Sequence, residues 1–195
     1  MSLGDERPVP MQRSLGVGRG KVFPAARARS LLSPLRRIVQ PPSRTVGRIG
    51  LAASDRVLEI GCGPAYFTPE LVRSVPRGRV VAFDLQLAML KLAVKRADRS
   101  VDFVQGDATA LPFKDASFDA ALVILVLGEV SDRARCLAEL ARVVRNGGQV
   151  ALCESRRDSD FIGLSDLVAQ VESHGFSFVG RRGFAWEYMA RFSRV

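Results

Sequence analysis

Short apolar runs alternate with helix-period segments from residue 51 to the C-terminus, and this alternation constrains the fold more than any other feature of the chain. The runs at 56–60, 79–83, 101–104, 118–127 and 149–153 have strand length and are apolar enough to be buried on both faces of a sheet. Thr68, Pro69 and Glu70 read as a helix start, with a cap, a proline and an acid in the first turn. Leu87, Leu90, Val94 and Ala97 fall on one helical face. Leu137, Leu140 and Val144 mark the next helix, which Asn146, Gly147 and Gly148 are expected to end. Leu164, Leu167, Val168 and Val171 mark a last one, stopping near His174 and Gly175. Strand–helix alternation of this kind predicts an open α/β fold, mostly parallel, with crossover helices on both faces. The runs at 176–180 and 185–192, joined by Arg181, Arg182 and Gly183, lie too close for a crossover helix and predict an antiparallel hairpin at one edge.

A chain of 195 residues is sized for one domain. Its longest apolar run, 120–127, is far short of the roughly 20 residues that cross a bilayer, so no transmembrane segment is expected. The N-terminus has Asp5 and Glu6 and no apolar signal region, which makes a cytoplasmic location the expectation. Cys62, Cys136 and Cys153 form no CxxC pair; they read as reduced thiols and offer no metal site. The net charge of +9 is uneven: residues 1–50 hold ten Lys/Arg against two Asp/Glu, and the rest hold nineteen against eighteen. Residues 1–29 read as a disordered basic extension, and through residues 1–50 the chain could contact nucleic acid or an acidic partner. Residues 30–195 read as the folded domain, and 30–52 as a helical lid over it: Ser33 and Pro34 open a first short helix, and Ser43 caps a second with Val46 and Ile49 on its apolar face.

Three strand ends carry candidate chemistry. After the first run come Glu59, Gly61, Cys62, Gly63, Pro64 and Ala65; glycines there let the backbone turn sharply and a ligand lie against it. The acid at Glu59 suits a cationic or hydroxyl-bearing ligand and does not suit a pyrophosphate, and no Lys-Ser/Thr follows to make a P-loop. Asp84 ends the second run, at the distance where a carboxylate accepts from a ribose diol or, alternatively, caps a helix. Asp107 and Ala108 follow the third, where a carboxylate and an amide read an adenine edge or close an ordinary turn. In an open parallel sheet, ligands bind at the carboxyl ends of the strands, so the three belong together.

The stretch 57–68 (VLEIGCGPAYFT) resembles the first motif of class I S-adenosylmethionine-dependent methyltransferases. Residues 80–85 (VVAFDL) with Met89 and Leu90 resemble the second, and 103–108 (FVQGDA) with 111–113 (LPF) and 117–119 (SFD) the third. Residues 140–148 (LARVVRNGG) resemble the segment before the fifth strand. The nearest group is similar to the ubiquinone/menaquinone-biosynthesis C-methyltransferases. The resemblance implies S-adenosyl-L-methionine as cofactor and a Rossmann-like seven-stranded sheet in the order 3-2-1-4-5-7-6, its seventh strand antiparallel. By position it implies that Glu59 and the amides around Gly61, Cys62 and Gly63 hold the methionine portion. Asp84 would bind the ribose, Leu85 pack beside the adenine, and Asp107 and Ala108 take the adenine edge. The family usually has glycine where this chain has Ala65, and a Ser-Pro-Glu-like cap where it has Gln86, Leu87 and Ala88.

The acceptor is less legible. Residues 126–130 (VLGEV) stand where amine-directed adenine or glutamine methyltransferases carry an Asn/Asp-Pro-Pro-Tyr/Phe motif, and no Pro-Cys nucleophile for cytosine C5 is present. Glu129 is a candidate base for an acceptor that must lose a proton. His174 reads as a helix-end cation, and Trp186 and Tyr188 as packing in an edge strand. The expected function is methyl transfer to a small-molecule acceptor. The alternatives are an RNA- or protein-directed enzyme docking through the basic arm, and a non-catalytic S-adenosylmethionine-binding protein.

Overall fold

The computed structural model describes residues 22–97, 100–184 and 186–195. The extension expected to lack structure lies outside the described residues as far as residue 21. Its final residues belong to a 3-10 helix, Ala25–Leu32, so ordered chain begins before Ser30.

Seven strands form one sheet: β1 (Arg56–Ile60), β2 (Arg79–Asp84), β3 (Val101–Gln105), β4 (Phe118–Ile124), β5 (Val144–Ser155), β6 (Phe176–Phe184) and β7 (Glu187–Arg194). Their order is β3-β2-β1-β4-β5-β7-β6, and β7 runs antiparallel to both neighbours. The helices are α1 (Pro34–Val39), α2 (Pro42–Gly47), α3 (Thr68–Ser74), α4 (Leu87–Ala93), α5 (Arg133–Val143) and α6 (Leu164–Glu172). This is the α/β, Rossmann-like, mostly parallel architecture expected from the alternation.

Alternation of side chains along each strand splits the core in two. Leu58 and Ile60 of β1, Val81 and Phe83 of β2, and Ala121 and Val123 of β4 pack with Leu137 and Leu140 of α5 and Leu167 and Val171 of α6. Val57, Val80, Ala82, Ala120 and Leu122 face the other way, against Val46 of α2, Leu71 of α3 and Leu90 of α4. Burying each such aliphatic side chain stabilises the fold by about 1.5–3 kcal/mol before entropy is counted. Glu59 shares the parity of Val57 and therefore lies on the α3 side, where it is 3% exposed.

Several local expectations need correction. Thr68 is the first residue of α3 rather than its cap, and its hydroxyl is engaged elsewhere. Pro41, not Ser43, precedes α2, because two successive prolines preset the backbone for helix entry. Asn146, Gly147 and Gly148 do not end α5, which stops at Val143; they form an irregularity inside β5, where the pairing with β4 shifts between Phe118↔Val144 and Ala120↔Gln149. The apolar run 118–127 is strand only to Ile124, since Leu125 takes a positive φ of 57° and Leu127–Glu129 form a 3-10 turn. Arg181, Arg182 and Gly183 lie inside β6, and the reversal comes after Phe184. Tyr188 packs as expected, at 2% exposed, but on an interior strand; Trp186 stands outside the strand, 54% exposed and stacked on Phe184. His174 does close α6, with Nδ1 2.7 Å from the Gln170 carbonyl. No helix among the described residues is long and apolar enough to cross a membrane.

Candidate active site

The carboxyl ends of β1, β2 and β3 meet at one cavity of about 300 Å3. Glu59, Gly61, Cys62, Gly63, Asp84, Leu85, Asp107, Ala108 and Glu129 all line it, so the structure brings together the cofactor-binding candidates and the candidate base. Main-chain bonds tie the three strand ends to one another. The Phe83 carbonyl accepts from the amides of Gly61 (2.8 Å) and Cys62 (3.1 Å), and the Asp84 carbonyl accepts from Gly106 (3.1 Å).

The glycine turn coils back on itself through three positive φ values, 70° at Gly61, 54° at Gly63 and 59° at Ala65. A Cβ at Gly61 would come within 2.2 Å of Val126, so a side chain is excluded there on steric grounds. At Gly63 the nearest atom to such a Cβ is Leu31 Cδ1 at 3.8 Å, and the residue lines the cavity, so a methyl would take up ligand space. Ala65 is fully buried in the left-handed region, where a β-carbon costs about 1–2 kcal/mol. The departure at Ala65 is therefore accommodated as backbone strain.

The electrostatics follow from burial. Glu59 Oε2 accepts a 2.6 Å bond from the Thr68 hydroxyl. Burial, with Asp84 nearby, outweighs that bond and pushes the Glu59 carboxyl up to about 8. Asp84 Oδ2 accepts from the Gly63 amide and Oδ1 from the Gln86 amide, both at 2.8 Å. Burial still raises its pKa against both bonds. Asp107 Oδ1 accepts from the amide and hydroxyl of Thr109 at 2.9 and 2.8 Å. Burial pushes the Cys62 thiol up, so it is inert as a nucleophile.

One implied role is corrected. The amides of Gly61, Cys62 and Gly63 are spent on Phe83 and Asp84, and so they fasten the turn to β2. What remains to face a ligand beside the turn is the Glu59 carboxyl, which lines the cavity and suits a cation rather than an anion.

Residues not singled out from the sequence complete the cavity. The main chain of Phe23 spans two walls: its amide donates to Glu129 Oε2 (2.9 Å) and its carbonyl accepts from Gln86 Nε2 (2.9 Å). Gln86, which replaces the usual helix cap, thus holds the N-terminal segment instead. Arg36 of α1 lies 4.4 Å over the Tyr66 ring and lines the cavity, with its pKa lowered by burial. Of the segment before β1, Val22, Phe23, Leu31 and Arg36 line the cavity.

A methyltransferase domain model matches residues 58–152. Over that span, just under half of the chain, the sequence is similar to methyltransferase domains. A demethylmenaquinone methyltransferase of Mycobacterium sp. (strain KMS) is 41% identical over 110 residues, 56% of this chain and 46% of that protein. Its namesake in Roseiflexus castenholzii (strain DSM 13941 / HLO8) is 40% identical over 114 residues, 58% of this chain and 48% of that one. The chain thus spans about half the length of the curated relatives it matches. Among solved structures, a SAM-dependent methyltransferase from Aquifex aeolicus superimposes with a TM-score of 0.82 at 19% identity, over 89% of this chain and all of that one. The [4+2]-cyclase SpnF shares the methyltransferase fold with a TM-score of 0.65 at 22% identity, over 72% of this chain and 57% of that one. At these identities both show the fold alone.

Proposed function

We propose that this chain binds S-adenosylmethionine in the cavity above β1, β2 and β3 and transfers its methyl group to a small-molecule acceptor. The observation that carries the reading is the convergence of Glu59, Asp84 and Asp107, from consecutive strand ends, on one cavity beside the glycine turn. The residues fit the cofactor group by group. Asp84, held rigid by the Gly63 and Gln86 amides, has lone pairs left for the ribose hydroxyls. Asp107 and the Ala108 amide read the adenine edge, and Leu85, 46% exposed, covers the ring. Glu59 faces the cationic amino-acid end. Gly61 and Gly63 leave the space that it needs.

Bound S-adenosylmethionine supplies an electrophilic methyl on a sulfonium. The protein's work is to fix that methyl against the acceptor and keep water out, which Phe23 does from above by joining the Gln86 and Glu129 walls. The relatives named demethylmenaquinone methyltransferases support a small organic acceptor over a macromolecule. A second reading, a non-catalytic S-adenosylmethionine-binding protein, fits the same cavity.

Calorimetry with S-adenosylhomocysteine tests the first step. One molecule should bind per chain, and Asp84→Ala should weaken it about 10- to 100-fold, the equivalent of about 1.5–3 kcal/mol for bonds to a charged group. Unchanged affinity in that variant would sink the ribose assignment. Radiolabelled methyl transfer to fractionated small-molecule extracts then separates the two readings: a labelled product supports the enzyme, and binding without any product supports the second.

A further inference from the structure

A second chamber of about 360 Å3 adjoins the first, sharing Val22, Phe23, Leu125, Glu129 and Asp158 with it. The Phe23–Glu129 hydrogen bond lies in the shared wall. Four carboxylates line the second chamber, those of Glu129, Glu154, Asp158 and Asp160, and they face a single cation, Arg27. Apolar surface comes from Val22, Phe23, Pro24 and Leu125.

Glu154, the penultimate residue of β5, is 3% exposed. Its Oε2 accepts a 3.3 Å bond from the Ile162 amide, and its Oε1 has no hydrogen-bond partner among the described residues. A buried carboxylate oxygen left without a donor costs about 1–3 kcal/mol, so a group kept in this state calls for a donor from water, an ion or a ligand. Burial, Asp158 and Asp160 push Glu154 up to about 7 against the Ile162 bond and the charge of Arg133. Glu129 is raised in the same way, by burial and then by Asp158, Asp160 and Asp84, against the bond from Phe23. Asp158 is raised by burial and Asp160, with Arg36 opposing. Among the described residues the chamber thus sets four carboxyls against one arginine, and Glu154 Oε1 is left without a donor.

The chemistry that resolves this is a compact cation with several N–H donors. A hydroxyl brings one donor and no charge, and an anion adds to the repulsion. We propose that the second chamber is a binding site for a small molecule bearing an amine, cationic in solution, whose ammonium donates to Glu154 Oε1. The chamber adjoins the cavity that the reading above assigns to the cofactor.

Calorimetry on the full chain saturated with S-adenosylhomocysteine tests the site with benzylamine, benzyl alcohol and benzoate, three probes of one shape and different charge. Benzylamine should bind at least tenfold more tightly than benzyl alcohol, and benzoate should not bind. Glu154→Gln should abolish that preference while S-adenosylhomocysteine affinity stays within threefold, and Asp160→Asn, at a partly exposed position, should reduce it about threefold. Equal binding of the amine and the alcohol, or an undiminished preference in Glu154→Gln, overturns the proposal. A protein that binds S-adenosylhomocysteine but not the amine loses this inference alone. Failure to bind S-adenosylhomocysteine removes the methyltransferase reading instead, and the amine titration is then decided on the free chain.

Discussion

The two rims of the sheet hold carboxylates in opposite states. At the amino ends of the strands Asp119 and Asp102 are each paired with a guanidinium. Asp119, near the start of β4, accepts from the Arg56 amide and Nε on one oxygen and from Arg145 Nε on the other, at 2.7–3.0 Å. Burial opposes its ionisation, yet the bonds from Arg56 and Arg145 win and hold it well below the usual carboxylate range. Arg79 and Asp102, at the starts of β2 and β3, form a second pair. At the carboxyl ends Glu59, Asp84, Glu129 and Glu154 are more buried or more crowded, none has a salt-bridge partner among the described residues, and all are raised. One residue type thus serves two purposes. Acids paired with arginine hold the sheet together, and acids buried without a cation wait for a ligand.

Breaking the paired rim should have the largest effect. Asp119→Asn should cost about 1–3 kcal/mol at pH 7 in urea unfolding. A depressed carboxyl stabilises above its unfolded pKa of about 3.9 and loses that contribution as pH falls through the folded value. The gap between wild type and variant should therefore narrow below about pH 4. A gap that is constant with pH would show that the pairing is not its source.

The unpaired rim should respond with the opposite sign. Glu59 has a raised folded pKa, so its contribution is complete below the unfolded value and is lost as pH rises toward about 8. The ligand-free protein should weaken across that window, and Glu59→Gln should be more stable than wild type at pH 8.5 by roughly 1–2 kcal/mol. The two should converge near pH 4.5. Parallel curves would remove the contrast between the rims. The smallest effect concerns the same rim's backbone. Ala65→Gly should relieve the positive φ and gain about 1 kcal/mol, a rise of about 2–4 °C in Tm, with S-adenosylhomocysteine affinity within threefold.

The strand ends were legible because each joins a periodicity to a turn residue: β1 to Gly61, β2 to Asp84, β3 to Gly106. The boundaries that misled did so for physical reasons. Val144 continues the apolar spacing of α5, and only its pairing with Phe118 makes it strand. The run past Ile124 stays apolar because Leu127 is buried in a 3-10 turn. Thr68 looks like a cap, and nothing local reveals that Glu59 claims its hydroxyl. Glu154 obeys the same strand-end rule as Asp84 and could have been found by applying it to the fifth strand. Phe23 could not, since its part is played by main-chain atoms that any residue has.

That last point bears on how such a protein could change over time. Because the partition between the two chambers is stitched by the amide and carbonyl of Phe23, the wall keeps its position whichever side chain stands there, proline alone excepted. The ring at this position can be exchanged for a smaller or larger group without loosening the seam. A single substitution there then resizes both chambers at once and leaves the strand ends at Glu59, Asp84 and Asp107 untouched.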